Sequence, residues 1–197
     1  AAGKQPGEEI TGEEIVSRPN SPQARSLLAY LILHHDRPIP RDRLTGIFWP
    51  ERSDARARRA LSHALWQIRN ALGPAASRLT TDEDTVSFTL CAGDWLDVAV
   101  FQDKIERADD LSSREVDLSK AVGIYRADFL EACYDDWALL ERERLRELYL
   151  RALESLIILY KQKGKYAQAL ECAQQLAAAD PLRESAHREL MQLYHLL

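Results

Sequence analysis

The sequence predicts a mainly α-helical chain in two parts, and three observations carry that prediction. Apolar residues recur at helical spacing along most of the length, as in Leu61, Leu65, Ile68 and Leu72. After Gly73-Pro74 the period changes briefly to alternation, in Thr85-Val86-Ser87-Phe88-Thr89-Leu90. Charge is divided: residues 22–78 hold ten arginines against Asp36, Asp42, Glu51 and Asp54, a surplus of six cations, whereas residues 93–197 hold 14 basic and 20 acidic side chains. The total of −5 over 197 residues conceals a basic module joined to an acidic one, which points to two jobs.

The lead-in, AAGKQPGEE, lacks the charged-then-apolar layout of a secretory signal and reads as flexible. Ile10 and Ile15-Val16 suggest a short strand or hairpin. Ser21-Pro22 is a helix start, with serine as cap and proline in the first turn. Ala24, Leu27, Leu28 and Leu31 then form a stripe to about residue 34. His34-His35 are adjacent, so they face different sides of a helix and make no metal pair. Arg37-Pro38-Ile39-Pro40 reads as a turn, and Pro40 opens a short helix burying Leu44, Ile47 and Phe48. Trp49-Pro50 ends it.

Residues 53–73 read as one amphipathic helix. Ser53 is a candidate cap, Asp54 suits the positive end of the helix dipole, and Gly73 is the stop. Opposite the apolar stripe stand Arg56, Arg59, His63, Trp66, Gln67 and Asn70, with no carboxylate after Asp54. Cations and amides so placed suit phosphates and base edges in a major groove. A basic solvated face of an ordinary surface helix has the same pattern. The order helix, tight turn, short helix, loop, long basic helix is a helix-turn-helix plan whose last helix is the reader. Leu79-Thr80-Thr81 and the alternating run that follows, joined by Asp82-Glu83-Asp84, form a hairpin wing. Its acidic tip would be repelled by phosphate, so Arg78 and Thr80 are better backbone contacts.

Residues 93–115 read as a packed connector with Trp95, Leu96, Val98, Val100 and Phe101, broken by Asp109-Asp110 and Ser112-Ser113. From 116 onward helix follows helix: a first around Leu118, Ala121, Val122 and Tyr125, and a long second from Asp135-Asp136 to Tyr160. A third runs from Tyr166 to Asp180-Pro181, and a fourth includes Ala186, Leu190 and Tyr194. Glu141-Arg142-Glu143-Arg144 reads as a solvated, salt-paired face. Residues 150–181 fit a tetratricopeptide-like helix pair, a unit of ~34 residues: Leu153, Leu156 and Tyr160 pack the first helix, Ala169 and Ala173 allow the second to approach, and Pro181 closes. Ile157 departs from the small residue usual there. The fourth helix suggests half of a further repeat, continuing past Leu197. The fold class is thus mainly α: a winged helix-turn-helix over 1–92, the connector, and a TPR-like array over 116–197.

Cys91, Cys133 and Cys172 are sparse, odd in number and in no C-x-x-C pattern, as expected of small core residues in a reducing cytoplasm. The longest apolar runs fall well short of the ~18 residues of a membrane span. No phosphate-binding glycine loop, nucleophile elbow or H-E-x-x-H motif is present, and the histidines have no partners at ligand spacing. The expectation is a protein that is not an enzyme and needs neither cofactor nor metal.

Five segments in order, RSLLAYLILHHDRPIPRDRLTGIFWP, ARARRALSHALWQIRNALG, LDVAVFQ, YDDWALLERERLRELYLRALE and KYAQALECAQQLAAADPLRESAHRELMQLY, resemble the bacterial regulators that join a response-regulator-type winged helix to a bacterial transcriptional activator domain, the SARP type among them. The resemblance implies a transcription factor that binds direct repeats in double-stranded DNA and helps recruit RNA polymerase, with a homodimer left open. It places the contacts on Arg56, Arg59, Ser62, His63, Trp66, Gln67 and Asn70. On this reading Arg52, Arg58 and Arg78 neutralise phosphates, Arg59, His63, Gln67 and Asn70 read base edges, and Trp66 either meets a thymine methyl or packs on the wing. The sequence departs from the family in carrying Trp66, Gln67 and Asn70 where arginines are usual, in its acidic wing tip and in its short N-terminal strands. The acidic tip motivates a second reading, a protein-interaction scaffold whose winged helix no longer binds DNA.

Overall fold

The computed structural model describes residues 17–108 and 113–197, arranged as two compact units, Ala1–Ala92 and Gly93–Leu197. The proposed strand at Ile10 and Ile15-Val16 lies outside the described residues, as do Asp109-Asp110 and Ser112. The first unit opens with helix α1, Pro22–Leu33, where the Ser21 side chain accepts the Ala24 amide hydrogen at 3.1 Å. Its stripe is buried at Ala24, Leu27 and Leu31. His34 and His35 have separate uses: the first meets the Tyr30 ring edge-on at 4.5 Å, and Nδ1 of the second lies 3.0 Å from the Ile32 carbonyl.

Ile39–Pro40 is not merely a turn but strand β1; helix α2, Arg41–Phe48, follows, with Pro40 as its cap residue. The strand is an edge of a three-stranded antiparallel sheet completed by β2, Leu79–Thr81, and β3, Thr85–Phe88, in the order β1-β3-β2. Ile39 pairs with Val86, Pro40 with Thr85, and Leu79 with Phe88. Proline lacks a ladder donor, and an edge is where a sheet tolerates it. Ile39, Leu79, Val86 and Phe88 face the core.

Helix α3 spans Asp54–Leu72. Ser53 does not cap it through its hydroxyl; its carbonyl accepts from Arg56 and Ala57 at 2.8 and 2.9 Å. Gly73 stops the helix with φ at +53°, a value that costs a side-chain-bearing residue. A 3₁₀ turn over Gly73–Arg78 leads into β2.

The second unit is helical: α4, Asp97–Arg107; α5, Arg114–Ile124; α6, Asp136–Gln162; α7, Tyr166–Ala179; α8, Glu184–Leu196. Each packs on the next. The segment expected as a connector therefore carries a helix of this unit. Val98 and Phe101 are buried and Ile105 packs against the core, a spacing of three and four that belongs to a helix. Leu118, Leu153, Leu156, Ala169, Ala173, Leu176 and Leu193 form that core, and Ile157 is buried with them. Gly164, at φ +68°, closes α6: Lys165 N–H reaches the Tyr160 carbonyl at 2.8 Å and Gly164 N–H the Lys161 carbonyl at 3.1 Å.

Two other expectations are corrected here. Arg142 is not part of a solvated ion-paired face. Its Nε donates to the Phe129 carbonyl at 2.7 Å, and its Nη2 to the carbonyls of Leu130 and Cys133 at 2.5 and 2.8 Å, so it anchors the chain that leads into α6. Only Arg144 makes the expected pair, with Glu141 at 2.9 Å. Among the cysteines only Cys172 is a buried core residue; Cys91 is exposed and Cys133 half-buried. Among the described residues no helix is long and apolar enough to cross a membrane.

Candidate nucleic-acid interface

Helix α3 presents two chemically distinct faces because its apolar residues repeat at helical spacing. Ala57, Leu61, Ala64, Leu65, Ile68, Ala71 and Leu72 are buried. At about 100° per residue the rest of the circumference faces solvent, and there Arg56, Arg58, Arg59, Ser62, His63, Trp66 and Asn70 are all exposed. Arg52, in the loop before the helix, is exposed as well.

One edge of this surface borders an open groove of about 760 Å³, formed with the start of α1 and lined by Arg52, Arg56, Arg59 and His63. Three guanidinium groups beside a helix N-terminus make a surface suited to phosphate oxygens. Gln67 also lines the groove, but it is half-buried and its Oε1 accepts the Ser21 hydroxyl at 2.7 Å. A glutamine that reads adenine uses this oxygen together with its NH₂. Gln67 thus belongs to the joint between α1 and α3, and Asn70 is the amide that stands outward.

The opposite edge is strapped to the hairpin. Arg41 sends its backbone N–H to the Asp84 carbonyl at 2.8 Å, and its guanidinium to the Asp82 carbonyl and to Ser62 Oγ, both at 3.4 Å. Ser62 donates in turn to the Arg58 carbonyl at 3.0 Å. Arg69 donates to Thr81 Oγ1. Sequence reasoning missed Arg41 and Arg69 as site residues, because their partners lie on other elements and no local pattern announces them. Arg58 reaches Asp42 at 3.3 Å, but with side chains 64% and 80% exposed this pair is worth little and leaves the cation available. Arg78 is half-buried at the end of the 3₁₀ turn, beside the sheet, and Thr80 is exposed on β2. The acidic hairpin tip is exposed at Asp82, Glu83 and Asp84, with Arg41 the cation bonded to it.

In the middle of the outward face the rings of His63 and Trp66 stack, with centroids 6.0 Å apart and planes at 25°. Trp66 is 60% exposed. The contact found for this ring is His63 on its own helix, which is neither the wing nor a base.

Comparisons with known proteins bear on both units. A family model described as the bacterial transcriptional activator domain matches residues 96–197, slightly more than half the chain. The regulatory protein AfsR of Streptomyces griseus is 27% identical over 187 residues, covering 91% of this chain and 19% of that protein. AfsR of Streptomyces coelicolor is 30% identical over 179 residues, covering 88% and 18%. The chain thus spans about a fifth of the length of these relatives. Among solved structures, Mycobacterium tuberculosis EmbR in complex with a low-affinity phosphopeptide superposes with a TM-score of 0.72 at 20% identity, over 90% of this chain and 50% of that one, a likeness of fold.

Proposed function

Because the chain belongs to the bacterial transcriptional activator domain family, we propose that it is a transcriptional regulator of the SARP kind whose first unit is a winged helix that lays α3 in the major groove of duplex DNA. One observation carries this reading: the outward face of α3 offers Arg56, Arg59, His63 and Asn70, with Arg52 beside it and no carboxylate among them. A major groove admits a helix, and base edges there present acceptors and donors that these side chains match. Arg52 and Arg56, lining the groove beside α1, take phosphates, and Arg58 takes another. Arg59, His63 and Asn70 take base edges, with Asn70 the partner for adenine N6 and N7. The straps through Arg41 and Arg69 fix the hairpin against the reading helix. The acidic helical unit serves protein contact, with RNA polymerase the first partner to test.

Selection of bound sequences from a random duplex pool, using the 197-residue chain, tests the proposal. The expected result is enrichment of one motif, bound less tightly as salt rises. Asn70→Ala should relax one adenine position and cost about 1–3 kcal/mol there. A pool that stays random after repeated rounds at low salt overturns the reading and favours the scaffold.

A further inference from the structure

The one large apolar group on the polar outward face of α3 is the Trp66 ring, 60% exposed and stacked on His63 at 6.0 Å. It lies one helical turn beyond His63 and one before Asn70, in the middle of the surface assigned above to base edges. Among the features that a base pair shows to the major groove, the C5 methyl of thymine is the apolar one. An apolar ring pressed into that groove loses water from its face and has one kind of edge to match. His63 supports the ring on its own helix, so the indole is held in place before DNA arrives and less rotamer freedom is lost on binding. Gln67, the next residue, is turned away to Ser21 at 2.7 Å and does not compete for the same position.

We infer that Trp66, braced by His63, reads a thymine methyl group and makes that methyl a determinant of specificity. This rests on the reading that α3 enters the major groove. The binding motif should therefore contain a preferred thymine, and replacing that thymine by uracil, which removes only the methyl, should weaken binding about fourfold, the worth of one buried methyl group.

The test measures affinity by fluorescence anisotropy for the selected duplex and for versions carrying uracil at each thymine in turn. With the unaltered chain, one position should show the loss. Trp66→Ala should bind the thymine and uracil duplexes equally, the signature of a coupled pair. Trp66→Phe, which keeps an apolar ring, should retain part of the discrimination. His63→Ala should reduce it by releasing the ring. Because Trp66 is exposed, these variants should melt like the parent, which circular dichroism checks. Equal binding of thymine and uracil at every position by the unaltered chain overturns the inference, and so does an undiminished uracil penalty in Trp66→Ala. Either result with salt-sensitive binding intact leaves the DNA-binding reading standing. Failure to enrich any duplex removes both.

Discussion

Ser21 Oγ donates its hydrogen to Gln67 Oε1 at 2.7 Å and itself accepts the Ala24 amide hydrogen at 3.1 Å. One side chain thus caps α1 and ties it to α3. Ser21→Ala removes both bonds, and the expected cost is about 1–2 kcal/mol of stability in the first unit. Chemical denaturation reads it. A double-mutant cycle with Gln67→Ala should show coupling of about 1 kcal/mol. Gln67→Ala should leave the preferred DNA motif unchanged, since that amide supports the joint.

Arg142 gathers the carbonyls of Phe129, Leu130 and Cys133 at 2.7, 2.5 and 2.8 Å, around Leu130 with its φ of +45°. A backbone held in this left-handed region persists only when its surroundings hold it there. Arg142→Ala should destabilise the second unit by about 2–3 kcal/mol, and hydrogen exchange should quicken at residues 130–135. Arg142→Lys should not restore protection, because an ammonium lacks the planar fork that spans these acceptors.

Acid should loosen the second unit through two carboxylates. Hydrogen bonds from Lys163 and then Lys165 hold Glu115 below its ordinary value of 4.5, and a hydrogen bond from Ser113 followed by one from Lys104 holds Asp117 below 3.8. A carboxylate whose folded pKa is depressed contributes stability that is fully present above its unfolded pKa and is lost as pH falls through the folded one. The melting temperature should therefore be flat near neutrality and fall below about pH 4.5. Glu115→Gln should make that fall shallower. A series of thermal melts from pH 6 to pH 3 decides it.

The cysteines should differ in reactivity. Burial pushes the Cys172 thiol up to about 11, and the thiolate is the nucleophile. Iodoacetamide at pH 8 should label exposed Cys91 readily and Cys172 only after unfolding, which mass spectrometry of the peptides reads out.

Much of α3 is legible in the sequence, because a strong period, an acidic first turn and a terminal glycine all give the same answer over Asp54–Leu72. The limits of α6 are legible from Asp135-Asp136 at its start and Gly164 after its end, and α7 is bounded by that glycine and by Asp180-Pro181. Strand β1 is not. Two residues, one of them proline, are too short to show alternation, and they become a strand only through pairing with Val86 and Thr85 far along the chain. Helix α4 is ambiguous because Leu96, Val98 and Val100 alternate as a strand would, whereas the residues buried in the fold, Val98 and Phe101 with Ile105 packed on the core, have helical spacing. At the candidate interface the exposed arc of α3 follows from periodicity alone. What periodicity cannot tell is which of its side chains are already engaged, and the bonds of Gln67 to Ser21, Ser62 to Arg41 and Arg69 to Thr81 all join different elements.

The claim that α3 is a nucleic-acid surface is tested most directly by the salt dependence of binding. Each phosphate neutralised contributes about 0.9 to the slope of log affinity against log salt concentration. For the duplex recovered by selection, the chain carrying Arg52→Ala and Arg56→Ala should show a slope smaller by about 1.8 than the unaltered chain, at an unchanged melting temperature. Identical slopes for the two chains would contradict the account, because cations that release no counterions are not at the DNA.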